Sequence, residues 1–214
     1  MEILYLDNKI IVCVKPAGVL STDEPGGMPS LLRAALGDET APVYTVHRLD
    51  AAVSGVMVYA RTRHAAADLG RAIERGDVRK EYLAIACGGL PEKSGELRDL
   101  LRRDRMLRKT FVAEAPGKDV REARLAYEVR AERAGLSLCR VRLYTGRAHQ
   151  IRAQFAAHGA PLWGDAKYGG GGEGDIALFS CVLAFPHPLT GDAMTFEKKP
   201  PAAYPWTEFP GEVL

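Results

Sequence analysis

The segment that decides the fold spans residues 43–60 and has the sequence VYTVHRLDAAVSGVMVYA. It begins and ends in apolar runs that predict buried β-strands, and between them lie His47, Arg48 and Asp50. Charged groups need partners when they are buried, and loops held by rigid strands are common sites of chemistry. A surface turn with an ordinary ion pair is an equal alternative for this segment taken alone. The rest of the chain has to decide between the two.

The bulk composition predicts a globular protein with a real core. The chain has 214 residues, of which 47% are hydrophobic and 26% charged. No composition break marks a linker, so we expect a single domain over residues 1–214. No apolar run approaches the roughly 20 residues that cross a bilayer, and the N-terminus lacks the pattern of a signal peptide. We therefore expect a cytoplasmic protein without membrane contact, and a monomer, because no oligomerisation segment is visible.

The motifs that the sequence lacks favour chemistry without a metal or cofactor. The four cysteines lie far apart and form no Cys-x-x-Cys pair, which predicts reduced thiols. The five histidines include no pair at i, i+4 and no His-Glu-x-x-His motif, so no metal site is predicted. A phosphate-binding P-loop, a dinucleotide fingerprint and a Gly-x-Ser-x-Gly nucleophile turn are also missing from the sequence.

Strands and helices alternate in mixed order along the chain. Apolar and alternating runs predict strands at residues 3–6, 10–14, 82–87, 110–113, 125–130, 135–144 and 194–197. Helical patterns cover residues 30–36, 62–76 and 148–158, with Ser30 as a possible cap of the first. Residues 176–185 fit either a strand or a short helix. These elements predict an α+β fold: a mixed, largely antiparallel β-sheet flanked by helices, with a central active-site cleft.

Basic residues cluster although the net charge of the whole chain is only +2. Residues 98–109 carry six basic and two acidic side chains and have no clean period, which favours an extended or partly ordered loop. A second group consists of Arg140, Arg142, Arg147 and Arg152. Clustered arginine predicts a local anionic partner, with a solvated surface as the alternative.

Asp50 is a candidate nucleophile or base. A carboxylate can attack an electron-poor carbon and leave again, as it does in glycosyl transfer. To act in this way it must stay ionised in a sheltered site, and a nearby guanidinium favours the ionised form. Arg147 and Arg152, in the segment GRAHQIR at residues 146–152, are candidates for that partner.

Three segments, in this order, resemble the signature segments of the RluA-type family of RNA pseudouridine synthases. They are HRLD at residues 47–50 followed by Ser54 and Gly55, KEYLA at residues 80–84, and GRAHQIR at residues 146–152. KPAGVL at residues 15–20, PLWGDAKYG at residues 161–169 and FPHPLTG at residues 185–191 resemble further family segments. Each motif is weak alone, but together they cover nearly the whole chain and are highly specific.

The resemblance implies an enzyme that isomerises specific uridines in structured RNA, either ribosomal or transfer RNA. Asp50 matches the catalytic aspartate, which acts on the ribose or the base when the N1–C1′ bond breaks. Arg152 matches the basic residue paired with that aspartate, and Tyr82 matches the aromatic residue that stacks on the target base. Arg48 matches a residue that enters the RNA stack when the uridine flips out, and flipping is required because the reacting atoms are buried inside a helix.

Further residues are expected to support RNA binding. Arg147, His149 and Gln150 lie in the motif of Arg152, and we expect them to contact the RNA backbone or shape the site. The basic stretch supplies candidates for phosphate contacts, namely Arg102, Arg103, Arg105 and Arg108. Trp163 and Tyr168 are candidates for stacking on RNA bases, with core packing as the alternative.

The chain also departs from the family pattern. Residues 51–53 are Ala-Ala-Val where polar residues are usual, and Ala148 stands where a hydroxyl residue is usual. Phe179-Ser180-Cys181 replaces a Leu-His-Ala-like stretch, and no S4-like RNA-binding domain is expected. Two other functions stay open: a non-catalytic RNA-binding factor on the same scaffold, and a glycoside hydrolase or nucleosidase. The latter requires a second acid that no motif supplies.

Overall fold

The computed structural model describes residues 1–212, so residues 213 and 214 of the predicted domain lie outside the described part. The chain forms two compact units. One comprises Met1–Lys80 and Ser180–Lys198, and the other Glu81–Phe179 and Lys199–Leu214. No helix among residues 1–212 is both long and apolar enough to cross a membrane.

Eleven strands and three α-helices build the two units across these residues. In chain order they are β1 (Glu2–Leu6), β2 (Ile10–Lys15), α1 (Met28–Leu36), β3 (Tyr44–Thr45), β4 (Ser54–Ala60), α2 (Arg63–Arg75), β5 (Arg79–Cys87), β6 (Ser94–Asp104), β7 (Lys109–Val112), β8 (Val120–Arg133), β9 (Leu136–Leu143), α3 (Gln150–Ala157), β10 (Leu178–Pro186) and β11 (Ala193–Glu197). Short 3-10 turns occupy Ala166–Tyr168 and Trp206–Glu208.

The first unit places its strands in the order β1-β2-β4-β10, with β3 beside β4 and β11 beside β10. The β1–β2, β2–β4, β3–β4 and β10–β11 pairs are antiparallel. Helix α2 begins at the predicted position because the Thr62 side chain accepts a hydrogen bond from the Ala65 amide, and it ends at Gly76 in the left-handed conformation. Its buried face, centred on Leu69, packs against the apolar side chains of β2 and β4.

Gly55 allows two backbones to approach closely inside this unit. A Cβ atom at this position would lie 2.4 Å from both the backbone nitrogen and the backbone oxygen of Ser180, and the φ angle of Gly55 is +127°. Only glycine adopts such a conformation without strain. The Ser180 hydroxyl donates to the Val56 carbonyl at 3.1 Å, so this departure from the family pattern is absorbed by a hydrogen bond.

We expect Gly55→Ala to lower the free energy of unfolding by about 3 kcal/mol or more, because the added methyl group collides with backbone atoms that cannot turn away. Urea denaturation measures this change. The matched control is Gly70→Ala in α2, where an added Cβ meets nothing within 4 Å. This control should stabilise the protein by up to about 1 kcal/mol, because alanine favours a helix over glycine. Equal stabilities of the two variants would contradict the steric argument.

The second unit orders its strands β5-β9-β8-β6-β7. The β6–β7, β6–β8 and β8–β9 pairs are antiparallel, and α3 packs on this sheet through a cluster of Leu101, Ala123 and Ala153. Antiparallel strands with helices packed on them in each unit confirm the predicted α+β class.

Two local predictions are wrong. Residues 98–109 form most of a β-hairpin, with β6 leading to a turn at residues 105–108 and β7 returning. Leu97 and Leu101 are buried on one side of β6, an alternation that the surrounding charges hide. Ser30 lies inside α1 instead of capping it, because the helix begins one residue after Gly27 with a proline in its first turn.

Candidate active site

The loop that carries Asp50 is fixed at both neighbouring residues. The Ser21 hydroxyl donates to the Leu49 carbonyl at 2.8 Å, and its oxygen accepts from the Leu49 amide at 3.1 Å. On the other side, the Ala51 carbonyl accepts from the Gly18 amide at 2.9 Å. Ser21 and Leu49 are buried, whereas Asp50 is half-buried. The loop therefore holds the Asp50 backbone rigidly and leaves the residue partly accessible.

Lys15, at the end of β2, supports the same loop from beneath. Its ammonium group is fully buried and donates to the carbonyls of Pro16, Val19 and Ala51 at 2.8, 2.6 and 3.0 Å. Burial lowers the pKa of Lys15 to about 8, while the charge of Asp50 acts in the opposite direction. Lys15 is thus a buried cation that ties three loop carbonyls together near the candidate catalytic carboxylate.

Lys15→Met should remove a pH-dependent part of the stability. Folded Lys15 loses its proton near pH 8 and unfolded lysine near pH 10.5, so the unfolded chain binds more protons between these values. The wild type should therefore gain up to about 3 kcal/mol relative to the variant as the pH rises through this window. Denaturant unfolding from pH 7 to 10.5 measures the difference. Lys118→Met, at an exposed lysine, should run parallel to the wild type; a parallel course for Lys15→Met would refute the assignment.

Of the other side chains in this loop, His47 supports the backbone and Arg48 faces solvent. The His47 Nε2 atom accepts from the Val58 amide at 3.1 Å, and burial lowers the pKa of His47 to about 3, so the ring is neutral. Arg48 is exposed. Residues 51–53 are held through their backbone, since the Val53 amide donates to the Asp50 carbonyl at 3.0 Å. Their departure from the family pattern therefore leaves the loop supported.

Arg152, in the first turn of α3, makes a buried bidentate ion pair with Asp165. Its Nε and Nη2 atoms donate to the two carboxylate oxygens of Asp165 at 2.7 and 2.8 Å. The side chains are 7% and 1% exposed. A planar guanidinium held at two nitrogens by one carboxylate has a fixed orientation. Asp165 therefore sets the plane of Arg152, a role that the sequence did not assign to it.

Tyr82 lies in β5 next to a second internal ion pair. Tyr82 is buried, and its neighbour Glu81 accepts from the Arg140 Nε atom at 2.8 Å. Arg140 and Arg152 are thus both taken up by carboxylates of the protein. The second basic group of the sequence is therefore in part an internal network, and not wholly a surface for an anionic partner.

Gln150, His149 and Arg147 meet at the beginning of α3. The Gln150 side chain is buried; its oxygen accepts from the Thr145 hydroxyl and the Arg147 amide at 2.8 and 3.0 Å. The His149 backbone adopts a left-handed conformation with φ of 54° and forms the N-cap of the helix. The Arg147 side chain is exposed and donates from Nε to the Glu122 carbonyl at 2.9 Å. Gln150 shapes the turn from inside, and Arg147 faces solvent.

The β6–β7 hairpin carries the other basic candidates. Arg102 and Arg103 are exposed on β6, and Arg105 and Arg108 are exposed in the turn. Met106 at the tip is 95% exposed. The hairpin thus presents cations and an apolar tip to solvent, a combination suited to phosphates and bases.

The structure brings some of the predicted residues together within each unit. Arg48 and Asp50 share the loop of the first unit, and Arg147, His149, Gln150 and Arg152 share the start of α3 in the second. Sequence reasoning missed the roles of Lys15, Ser21 and Asp165. Lys15 and Asp165 lie inside the segments KPAGVL and PLWGDAKYG, which was the signal available in the sequence. Ser21 lies in no such segment. Among residues 1–212, no three His, Cys, Asp or Glu side chains group in a way that could hold a metal ion.

Comparison with known proteins identifies the class. Residues 9–157 match the family model described as RNA pseudouridylate synthase. The chain is 34% identical to the dual-specificity RNA pseudouridine synthase RluA of Haemophilus influenzae, over 93% of each chain. It is 33% identical to the ribosomal large subunit pseudouridine synthase D of Vibrio vulnificus, over 94% of this chain and 67% of the relative. Human RNA pseudouridylate synthase domain containing 4 superposes with a TM-score of 0.78 at 20% identity, covering 94% of this chain and 88% of the human one.

The chain therefore belongs to the RNA pseudouridylate synthase family, and within it to the RluA type. It is accordingly an isomerase that acts on RNA.

Proposed function

We propose that this enzyme converts specific uridines of structured RNA to pseudouridine with Asp50 as the catalytic carboxylate. Ribosomal RNA is the first substrate to test, because the Vibrio relative is named for the large ribosomal subunit, and transfer RNA is the second. The observation that carries the proposal is the rigid loop around Asp50, which fixes the backbone on both sides of a half-buried carboxylate. Such preorganisation is what a nucleophile or base requires.

The reaction conserves all atoms of the uridine. The N1–C1′ bond breaks with Asp50 acting on the ribose or the base, the uracil turns, and C5 bonds to C1′. The proton leaves C5, and N1 ends protonated in the product. Because the change is an isomerisation, it requires no oxidant, reductant or group donor, and we propose that neither a metal nor a cofactor takes part.

The remaining candidates have roles that fit their surroundings. Tyr82 stacks on the flipped uracil and assists proton removal from C5, and Arg152 keeps Asp50 ionised. Arg48 enters the RNA stack where the uridine leaves it. His149 and Gln150 shape the site, while Arg147 contacts the RNA backbone together with the exposed arginines of the β6–β7 hairpin. We propose that these parts form one catalytic domain over residues 1–214, acting as a cytoplasmic monomer.

The test uses purified protein and two RNA pools, ribosomal RNA and transfer RNA, made in cells that lack this gene. New pseudouridines are mapped at single-nucleotide resolution before and after incubation. A small set of fully converted positions supports the proposal. Release of free uracil would instead indicate a nucleosidase, and tight RNA binding without product would indicate a non-catalytic RNA-binding factor.

A further inference from the structure

The phenol of Tyr168 connects the basic β6–β7 hairpin to the beginning of α3 in the second unit. Its oxygen accepts from the backbone amide of Thr110 at 2.8 Å and lies 2.9 Å from Nδ1 of His149. Thr110 belongs to β7 of the basic hairpin, and His149 is the N-cap of α3. Burial raises the pKa of Tyr168, so the phenol keeps its proton and can serve as donor and acceptor at once.

The ring of Tyr168 makes the same connection through its π-system. The Lys109 Nζ atom lies 4.9 Å from the ring centroid, and the Arg152 Cζ atom lies 5.1 Å from it. Both distances are within the range of cation–π attraction. One side chain therefore contacts a cation of the hairpin and the candidate catalytic arginine.

Two neighbouring contacts strengthen the connection. The Thr110 hydroxyl donates to the Ala148 carbonyl at 2.8 Å, directly before the cap of α3. Asp165, three residues before Tyr168, makes the bidentate ion pair with Arg152. The short 3-10 turn at Ala166–Tyr168 thus places the carboxylate and the phenol at opposite ends of one rigid piece of chain.

We propose that Tyr168 is a positioning residue that couples the β6–β7 hairpin to Arg152, so that RNA bound by the hairpin sets the guanidinium for the chemical step. The inference rests on the proposed function. It assigns to Tyr168 a task other than stacking on RNA or filling the core, and it makes hairpin contacts matter for the rate as well as for affinity.

The first test is Tyr168→Phe, which deletes only the hydroxyl group. At saturating RNA, we expect the single-turnover rate of pseudouridine formation to fall about tenfold, because the hydroxyl no longer binds Thr110 and His149 and the ring that contacts Arg152 is no longer fixed. The dissociation constant for the same RNA should stay within about threefold, since the hairpin arginines are untouched. Tyr127→Phe is the matched control, because Tyr127 is buried and packs edge-on against Phe155 of α3, the helix that carries Arg152. It should keep the rate within about twofold.

The second test separates coupling from a merely structural role. With Tyr168 present, Arg105→Ala should lower both the affinity for RNA and the single-turnover rate of pseudouridine formation at saturating RNA. In the Tyr168→Phe background, Arg105→Ala should still lower affinity but leave the rate nearly unchanged, so that the effects on the rate are not additive. Additive effects on the rate, or an unchanged rate in Tyr168→Phe, would overturn the coupling.

A third readout does not depend on turnover. Amide hydrogen exchange of the protein is measured with and without bound RNA. In the wild type, RNA should protect the amides of residues 102–112 in the β6–β7 hairpin and of residues 150–153 in α3. In Tyr168→Phe, only the hairpin amides should gain protection. Equal protection of α3 in both proteins would defeat the inference even if the enzyme is active. Protection as expected without pseudouridine in any RNA would defeat the proposed function alone, and a protein that binds no RNA would defeat both.

Discussion

Asp50→Asn should abolish pseudouridine formation, with a loss of at least about 10⁴-fold in the single-turnover rate. The amide has nearly the same shape as the carboxylate, but it can neither attack a carbon atom nor accept a proton at neutral pH. RNA labelled with tritium at C5 of uridine measures the loss directly, because formation of the C5–C1′ bond releases that hydrogen. Binding of the same RNA should stay within about threefold.

The structure explains why this variant should stay folded. The hydrogen bonds of the loop that run through Ser21, Lys15 and the backbone of residues 49–53 stay in place when Asp50 becomes asparagine. Asp23→Asn is the matched control: it makes the same chemical change in the same unit, at a carboxylate paired with Arg33 on the surface. The control should keep full activity. If Asp50→Asn kept more than about one tenth of the wild-type rate, the assignment of Asp50 would be wrong.

Local signals predicted much of the fold because they act over a few residues. Thr62 and Gly76 bracket α2 as the sequence predicts, since a cap and a left-handed stop are local features. Strand β7 was predicted at residues 110–113, but β6 was missed because its strand pattern depends on pairing with the long strand β8, which the sequence of residues 98–109 does not contain. Residues 176–185 were ambiguous for the same reason, and packing makes most of them part of β10.

The sequence places the candidate site residues in recognisable motifs but does not indicate the residues that support them. Asp50, Arg152 and Tyr82 stand in recognisable segments. Ser21 lies in none of them, and only the structure shows that its hydroxyl binds both the carbonyl and the amide of Leu49. The basic group at residues 140–152 is only in part a surface for an anionic partner. Clustering in sequence indicated a shared anionic partner, yet Glu81 and Asp165 bind two of its arginines from distant positions in the chain. Only the folded chain shows which charges are already satisfied.

Asp165→Asn is expected to have the second-largest effect, because it leaves Arg152 buried without its bidentate partner. Removing one member of a buried ion pair typically costs about 3–5 kcal/mol of stability. We therefore expect a loss of about 3 kcal/mol in the free energy of unfolding and, at a temperature where the variant is folded, about 100-fold in the single-turnover rate. The rate falls because asparagine offers one oxygen acceptor where the carboxylate offers two, and a single acceptor does not fix the plane of the guanidinium.

The control for Asp165→Asn is Asp99, a carboxylate of β6 that also binds a side chain of α3. Asp99 accepts from the Gln154 amide at 2.7 Å, and its side chain is 12% exposed. Asp99→Asn repeats the chemical change at a carboxylate that contacts another turn of α3, so it should cost stability without the loss of rate. Asp165→Asn should also add little to the rate loss of Arg152→Lys, because Asp165 acts through the guanidinium and lysine cannot reproduce the bidentate contact. A full additional loss in the double variant would mean that Asp165 serves the reaction by a route other than Arg152.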